Sequence, residues 1–248
     1  MTAKNTISER TVRRRLKEEG LKTYKVKDVP YISKANKLKR LAFAKEHLHK
    51  PKEFWRSVLW TDESSFEYNS SKNKFFVRLP TVVRQKKRPV SEKVSHGGGS
   101  VMFWGCVAYN GLGDLVPITG SMNQHQYLST LNDTAFPNGD RLIGESFILQ
   151  QDNAPCHKSR MITNFLKNVG VGTLDWPPQS PDLNIIENVW SLLKRKRTVS
   201  LNKTREETIS EVTSLWKEIS PEVLQNLVDS VPRRLQKVIE AKGGYTFY

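Results

Sequence analysis

A chain of 248 residues with 37% hydrophobic and 26% charged side chains has the ordinary make-up of a soluble globular protein, long enough for one good-sized core and a smaller appendage. Forty Lys and Arg against 25 Asp and Glu leave a net charge of +15, and the partner this predicts is a polyanion, nucleic acid first among them. Cys106 and Cys156 form no CxxC pair and no run of 18 apolar residues occurs, so a zinc finger, a disulfide framework and a membrane span are all disfavoured.

The charge is concentrated early. Residues 1–50 hold 15 basic and 5 acidic side chains, +10 of the +15, which suggests a phosphate-tracking element ahead of a nearly balanced domain. Residues 5–20 read as a short helix with Ser8 as N-cap, Gly20 as its end, and Val12 and Leu16 one turn apart. Arg10, Arg13, Arg14, Arg15 and Lys17 crowd its other faces, either as a solvated basic helix or as a recognition helix reaching base edges and phosphates. Residues 21–40 have the composition of a basic linker. Residues 37–49 look helical through Leu38, Leu41, Phe43 and Leu48, and a boundary is expected near residue 54.

From there the pattern is α/β. Strands are predicted over 56–64, 74–79, 100–109 and 114–119, the last two joined across Asn110-Gly111, a hairpin signal. A helix over 123–136 leads to a buried strand over 146–152, a helix over 158–169 and a short strand over 171–176. Ser180-Pro181 reads as the opening of a helix over 181–197, and helices over 204–219 and 221–241 follow, the second kinked or interrupted at Pro232. Two strands end in acids, Asp62 and Asp152. Glu187 sits on the late helix, about 100° round from Ile186 and so at the border of the apolar stripe.

This is the element order of an RNase H-like core: a mixed five-stranded sheet flanked by helices, with Asp62 and Asp152 emerging side by side. Three converging carboxylates repel one another unless cations lie between them, and hard oxygen ligands suit Mg²⁺ or Mn²⁺. Two such ions about 4 Å apart activate a water or 3′-hydroxyl and stabilise the leaving oxygen of a phosphodiester. Acids at strand ends are common, however, and composition and order alone leave a metal nuclease and a plain α/β protein both open.

The segments WTDES (60–64), HGGGSVMFWG (96–105), QQDNAPCH (150–157) and LDWPPQSPDLNIIENVW (174–190) closely resemble the Tc1/mariner superfamily of DNA transposases, in the order expected there. The 34 residues between Asp152 and Glu187 match the Tc1-like, DD34E branch. The resemblance implies an RNase H-like (retroviral integrase-type) domain over 55–248. It would use Asp62, Asp152 and Glu187 with two Mg²⁺ (or Mn²⁺) to cut double-stranded DNA at transposon inverted-repeat ends. The freed ends would then be joined into TA target sites, by a homodimer in the DNA complex, in the nucleus. Residues 1–22 resemble the end of a second helix-turn-helix and residues 23–54 a basic linker and helix. A complete member is expected to carry a further helix-turn-helix upstream.

Other motif residues carry two readings each. Asn153 and His157 either touch the scissile phosphate or orient a ligand, or else hold the turn. Gly97, Gly98 and Gly99 let backbone approach DNA near the active site, or form a flexible loop. Asp182 and Asn184 are expected in the first turn of the last motif's helix, as structural groups favoured by its dipole. Glu63 falls on the opposite strand face and outside the triad. The basic run at 84–88 and Lys194 to Arg197 are phosphate grips or ordinary surface charge. The alternative to an active enzyme is a domesticated derivative that binds DNA without cutting it.

Overall fold

The computed structural model describes residues 8–21, 31–68, 99–197 and 203–246. The strand expected over 74–79, the basic run at 84–88, Gly97 and Gly98 lie outside them. Two compact units divide the chain, Met1–Tyr31 and Ile32–Tyr248.

The first unit contains helix α1 (Glu9–Glu18). Ser8 caps it as expected, its extended backbone letting the hydroxyl accept from the Thr11 N–H. Gly20 lies past its end with φ +75°, a left-handed conformation that favours glycine. No residue of α1 is buried, and Val12 and Leu16 stay 43% and 44% exposed.

In the second unit α2 (Lys34–His47) and α3 (Lys52–Arg56) precede a sheet of β1 (Val58–Glu67), β2 (Ser100–Ala108), β3 (Gly111–Ile118), β4 (Ile148–Gln150) and β5 (Gly172–Thr173). The strand order is β3-β2-β1-β4-β5. β1, β2 and β3 pair antiparallel, while β1–β4 and β4–β5 pair parallel, the mixed sheet expected of an RNase H-like core. Alternation along β1 feeds two cores. Trp60 and Phe66 join Trp55, Phe103 and the late helices α7 (Ile186–Lys196), α8 (Arg205–Lys217), α9 (Pro221–Asp229) and α10 (Val231–Glu240) on one face. Leu59 joins Trp104, Tyr127 and Leu149 on the other, under α4 (Gln124–Thr130), α5 (Phe136–Leu142) and α6 (Arg160–Val169).

Several boundaries differ from expectation, each for a local reason. The break falls after Tyr31 and not near residue 54, because α2 buries Phe43 and Ala44 in the second unit's core and packs along α10. The β2–β3 turn is Tyr109-Asn110, since Ala108 already pairs with Gly111. The helix expected over 123–136 continues to Leu142 through a π turn at Leu131–Ala135; Pro137 has no N–H to give, and the wider turn lets the helix pass it. The helix expected from residue 181 begins at Ile186, so Asp182 and Asn184 lie in the turns before it, not in its first turn. Asp182 is turned away from the helix by a buried arginine, described below. The last helix is divided at Ser230, with Pro232 opening α10.

Candidate active site

Two strands and a loop bring the three acids together. Trp60 of β1 pairs with Gln150 of β4, so Asp62 and Asp152 each follow two residues beyond the same rung. The rung is reinforced: the Thr61 N–H donates to Gln150 Oε1 at 3.2 Å and the Thr61 hydroxyl to the Gln150 carbonyl at 2.7 Å. Across β2, Asp62 faces Gly105, whose missing side chain makes room for Trp190.

Glu187 is delivered by the loop that precedes α7. Ser180 and Pro181 open two tight turns, closed by Leu183 N–H to Ser180 O and Asn184 N–H to Pro181 O. The Asn184 side chain then works in both directions: Oδ1 accepts from the Ile186 N–H at 3.3 Å, and Nδ2 donates to Thr61 O at 3.2 Å. One amide thus satisfies the first N–H of the third acid's helix and ties that helix to the residue before the first acid. The loop is anchored by Arg40, fully buried, which forks onto the Asp182 carboxylate and also donates to Gln179 O, Ser180 Oγ, Gly243 O and Gly244 O. Arg234 holds the same loop from α10, donating to Asp182 O and Asn188 Oδ1.

Asp62, Asp152 and Glu187 line one cleft of about 340 Å³, with Trp176, Pro177 and Pro178 contributing an apolar wall. Burial pushes the Asp62 carboxyl well above its usual range, and the charges of Glu187, Glu63 and Asp152 push it further. Burial also raises Glu187, against a hydrogen bond from Asp62 and the charge of Lys194. In the metal-free protein both carboxyls are thus harder to ionise than usual. Among the described residues no group of three acidic, imidazole or thiol side chains closes tightly enough to cage an ion as it stands. The donor set nevertheless fits a hard divalent cation: every group is a carboxylate, and their mutual repulsion is what such a cation relieves.

Asp152 behaves differently. Partial burial raises its carboxyl, but hydrogen bonds from His157 and the Ala154 N–H, with the charge of His157, outweigh that and hold it below the usual range. His157 Nδ1 and the Ala154 N–H both reach the same oxygen, Oδ1, each at 2.8 Å. Burial of the imidazole alone would lower its pKa; its contacts with Asp152 and Glu63 more than reverse this and raise it to about 10, so it carries a proton at neutral pH. Its Nε2 stands 3.4 Å from Glu63 Oε1, close as an ion pair but without hydrogen-bond alignment. The ring lies 3.9 Å from that of Tyr127, whose hydroxyl bonds Gln151 Oε1 at 2.6 Å.

Of the supporting residues named from sequence, Asn153 lines the cleft and donates to Trp176 O, so it holds the turn and the apolar wall. Gly99 does not line it: it sits by Tyr68, six residues past Asp62 or about 20 Å along an extended strand, where a Cβ would meet the Tyr68 ring at 2.6 Å. In α1, Arg13 pairs with Glu9, and Arg14 and Arg15 pair with Glu18, all at the surface. The Lys194–Arg197 run is engaged within the fold: Lys194 donates to Ser64 Oγ, Lys196 to Glu218, and Arg197 to Glu211 and Glu67 O. Sequence reasoning set Glu63 aside because alternation turns it from Asp62, and that inference holds; His157 waits on that other face. Arg40 was read as one more cation of a linker, and nothing in its local sequence marks it as buried.

Comparison with known proteins agrees with this geometry. A helix-turn-helix model of Tc3-type transposases, described as Transposase, matches residues 1–49. The DDE superfamily endonuclease model matches residues 57–209. The chain is 39% identical to the Tc1 transposase of Caenorhabditis elegans over 97% of its own length and 88% of that protein's. It is 31% identical to the Tc3 transposase of the same organism, covering 96% of this chain and 71% of that one. In three dimensions the chain is similar to the Mos1 transposase in its paired-end complex with the left transposon end, with a TM-score of 0.84 at 18% identity over 96% of this chain and 72% of that one. The isolated catalytic domain of Mos1 superposes with a TM-score of 0.67 over 89% of this chain and all of that one. With the DDE model covering most of its length and the Tc1 transposase matched almost end to end, this chain belongs to the Tc1-like branch of the Tc1/mariner DNA transposases.

Proposed function

We propose that this chain cuts double-stranded DNA at the inverted-repeat ends of its transposon and joins the freed 3′ ends into TA target sites, with Asp62, Asp152 and Glu187 as the catalytic carboxylates. The observation that carries this reading is the shared cleft, in which three acids of separate elements meet. The three carboxylates are the groups that would hold two Mg²⁺ or Mn²⁺. When bound, such ions lower the pKa of an attacking water or 3′-hydroxyl and offset charge on the leaving oxygen.

The chain's own part is positional. The reinforced β1–β4 rung fixes Asp62 beside Asp152, and the Asn184 bridge fixes the approach of Glu187. Because burial raises the Asp62 and Glu187 carboxyls, a cation would compete there with protons, and cation affinity should rise with pH. The Trp176-Pro177-Pro178 wall limits bulk water on one side of the cleft. Residues 1–22, with Arg10, Arg13, Arg14, Arg15 and Lys17, would track DNA phosphates ahead of the catalytic unit that begins at Ile32, and a homodimer would hold the two ends in the nucleus. Mg²⁺- or Mn²⁺-dependent nicking of DNA bearing the cognate inverted repeat is the test. Asp152→Asn should abolish it, and undiminished cleavage by that variant would remove the acids from the mechanism.

A further inference from the structure

The geometry points to His157 as a positioning residue for Asp152: clamped between Glu63 and Tyr127 on the far face of β1, it fixes the Asp152 carboxylate so that one oxygen is spent on the protein and the other is presented to the cleft. The inference rests on the reading of Asp152 as a cation ligand given above.

Two donors, His157 Nδ1 and the Ala154 N–H, converge on Oδ1 at 2.8 Å. A carboxylate held by one oxygen from two directions cannot rotate about its Cβ–Cγ bond without losing both bonds, so Oδ2 keeps a single direction. Asp152 itself is about half exposed and lines the cleft, so without this clamp its side chain would sample several rotamers. The imidazole, in contrast, is only 3% exposed and has little freedom of its own. Tyr127 packs against its ring, and the Tyr127 hydroxyl is in turn fixed on Gln151, the residue before Asp152. Glu63 closes the arrangement from β1 with its Oε1 buried and directed at Nε2. The neighbours of the first and second acids are thereby joined behind the site, and the spacing between β1 and the segment after β4 is set on both faces of the sheet. Partners that orient a ligand are worth about 10–100-fold in cation affinity where they have been removed from metal sites.

The test is Mn²⁺ binding to the whole chain, read from the free-ion electron paramagnetic resonance signal, alongside the Mn²⁺ concentration that gives half-maximal nicking. His157→Ala should weaken Mn²⁺ binding about ten-fold or more and shift the nicking midpoint in parallel. His157→Gln, which can still donate to Oδ1, should recover much of the loss. Glu63→Gln should produce a smaller loss that adds nothing to His157→Ala, and it decides the matter if His157→Ala does not fold. A His157→Ala protein that binds Mn²⁺ as tightly as the unmodified chain, with only its melting temperature lowered, overturns the inference. Asp152→Asn separates the two claims: if it too binds Mn²⁺ normally, the assignment of Asp152 as a ligand fails first, whereas loss there with no loss in His157→Ala defeats the positioning role alone.

Discussion

Arg40 and Asp182 lie 142 residues apart and meet fork to fork, Nη1 to Oδ1 and Nη2 to Oδ2, both at 2.7 Å and both side chains fully buried. Asp182 also accepts from the Thr246 N–H and hydroxyl, so its oxygens are well used. Breaking such a pair leaves one charge buried alone, at a cost of about 3–5 kcal/mol. Arg40→Ala and Asp182→Asn should each lower the melting temperature by about 6–20 °C, at about 2–4 °C per kcal/mol for a domain of this size. Removing both charges together should cost less than the sum. Urea unfolding of the two single variants and the double variant checks the non-additivity.

Asp62 makes a pH-dependent prediction for the metal-free protein. Its folded carboxyl is raised, so between the ordinary carboxylate range and that raised value the folded state binds a proton the unfolded state has lost. Stability from this group is therefore present at low pH and declines as pH rises through the folded pKa. Asp62→Asn removes the decline: with EDTA present it should melt higher than the unmodified chain at about pH 7, the difference vanishing towards about pH 4. Asp152, held below its usual range, has the opposite sign. Asp152→Asn should destabilise at neutral pH and lose that penalty as pH falls through the depressed value. Thermal melts between about pH 7 and pH 4 test the first slope, and melts carried below about pH 4 the second.

Asn184 serves two partners, and its substitutions separate them. Asn184→Ala removes the acceptor for the Ile186 N–H and the donor to Thr61 O, with a loss of about 0.5–1.5 kcal/mol for each bond. Asn184→Asp keeps an acceptor for the Ile186 N–H and lacks the donor. If the tie to Thr61 positions Glu187, Asn184→Asp should be nearer normal in stability than in nicking rate. Equal losses in both would argue that the tie matters only for folding.

Gly105 stands opposite Asp62, and a Cβ there would meet Trp190 at 2.8 Å and Trp216 at 3.0 Å. Trp190 lies one turn after Glu187 on α7. Overpacking of a filled core costs about 1–3 kcal/mol, so Gly105→Ala should lower the urea midpoint and slow nicking. Near-ultraviolet circular dichroism should register the displaced indoles.

The basic helix α1 is tested by salt. If Arg10 and Lys17 contact phosphates, replacing either by Ala should reduce the slope of log affinity against log salt by about 0.9, with little change in preference between sequences. An unchanged slope would return both to the solvated surface.

The sheet and the two strand-borne acids were legible because their signals are local. An apolar run leading into an acid is a buried strand, and the Trp60–Gln150 rung sets Asp62 and Asp152 side by side; β1, however, runs on to Glu67 and β4 stops at Gln150, so neither acid ends its strand. The start of α7 was not legible. Ser180-Pro181 carries the ordinary signature of a helix opening, but Arg40 draws Asp182 inward and the loop spends five more residues before the helix begins. Arg40 itself looked like linker charge, since its partners are more than a hundred residues away. The role of His157 was open for the same reason: whether it holds the turn or orients an acid depends on Glu63 and Tyr127, which sequence distance conceals.

The anchoring of Arg40 also has a consequence for the order in which the molecule is made. Its guanidinium leaves the ribosome 203 residues ahead of the Gly243 carbonyl it must bond. At about 5–20 residues per second that is an interval of about 10–40 s, during which the anchor around the loop of the third acid is incomplete. The loop that leads into the third acid is thus among the last parts of the protein to be fully fastened.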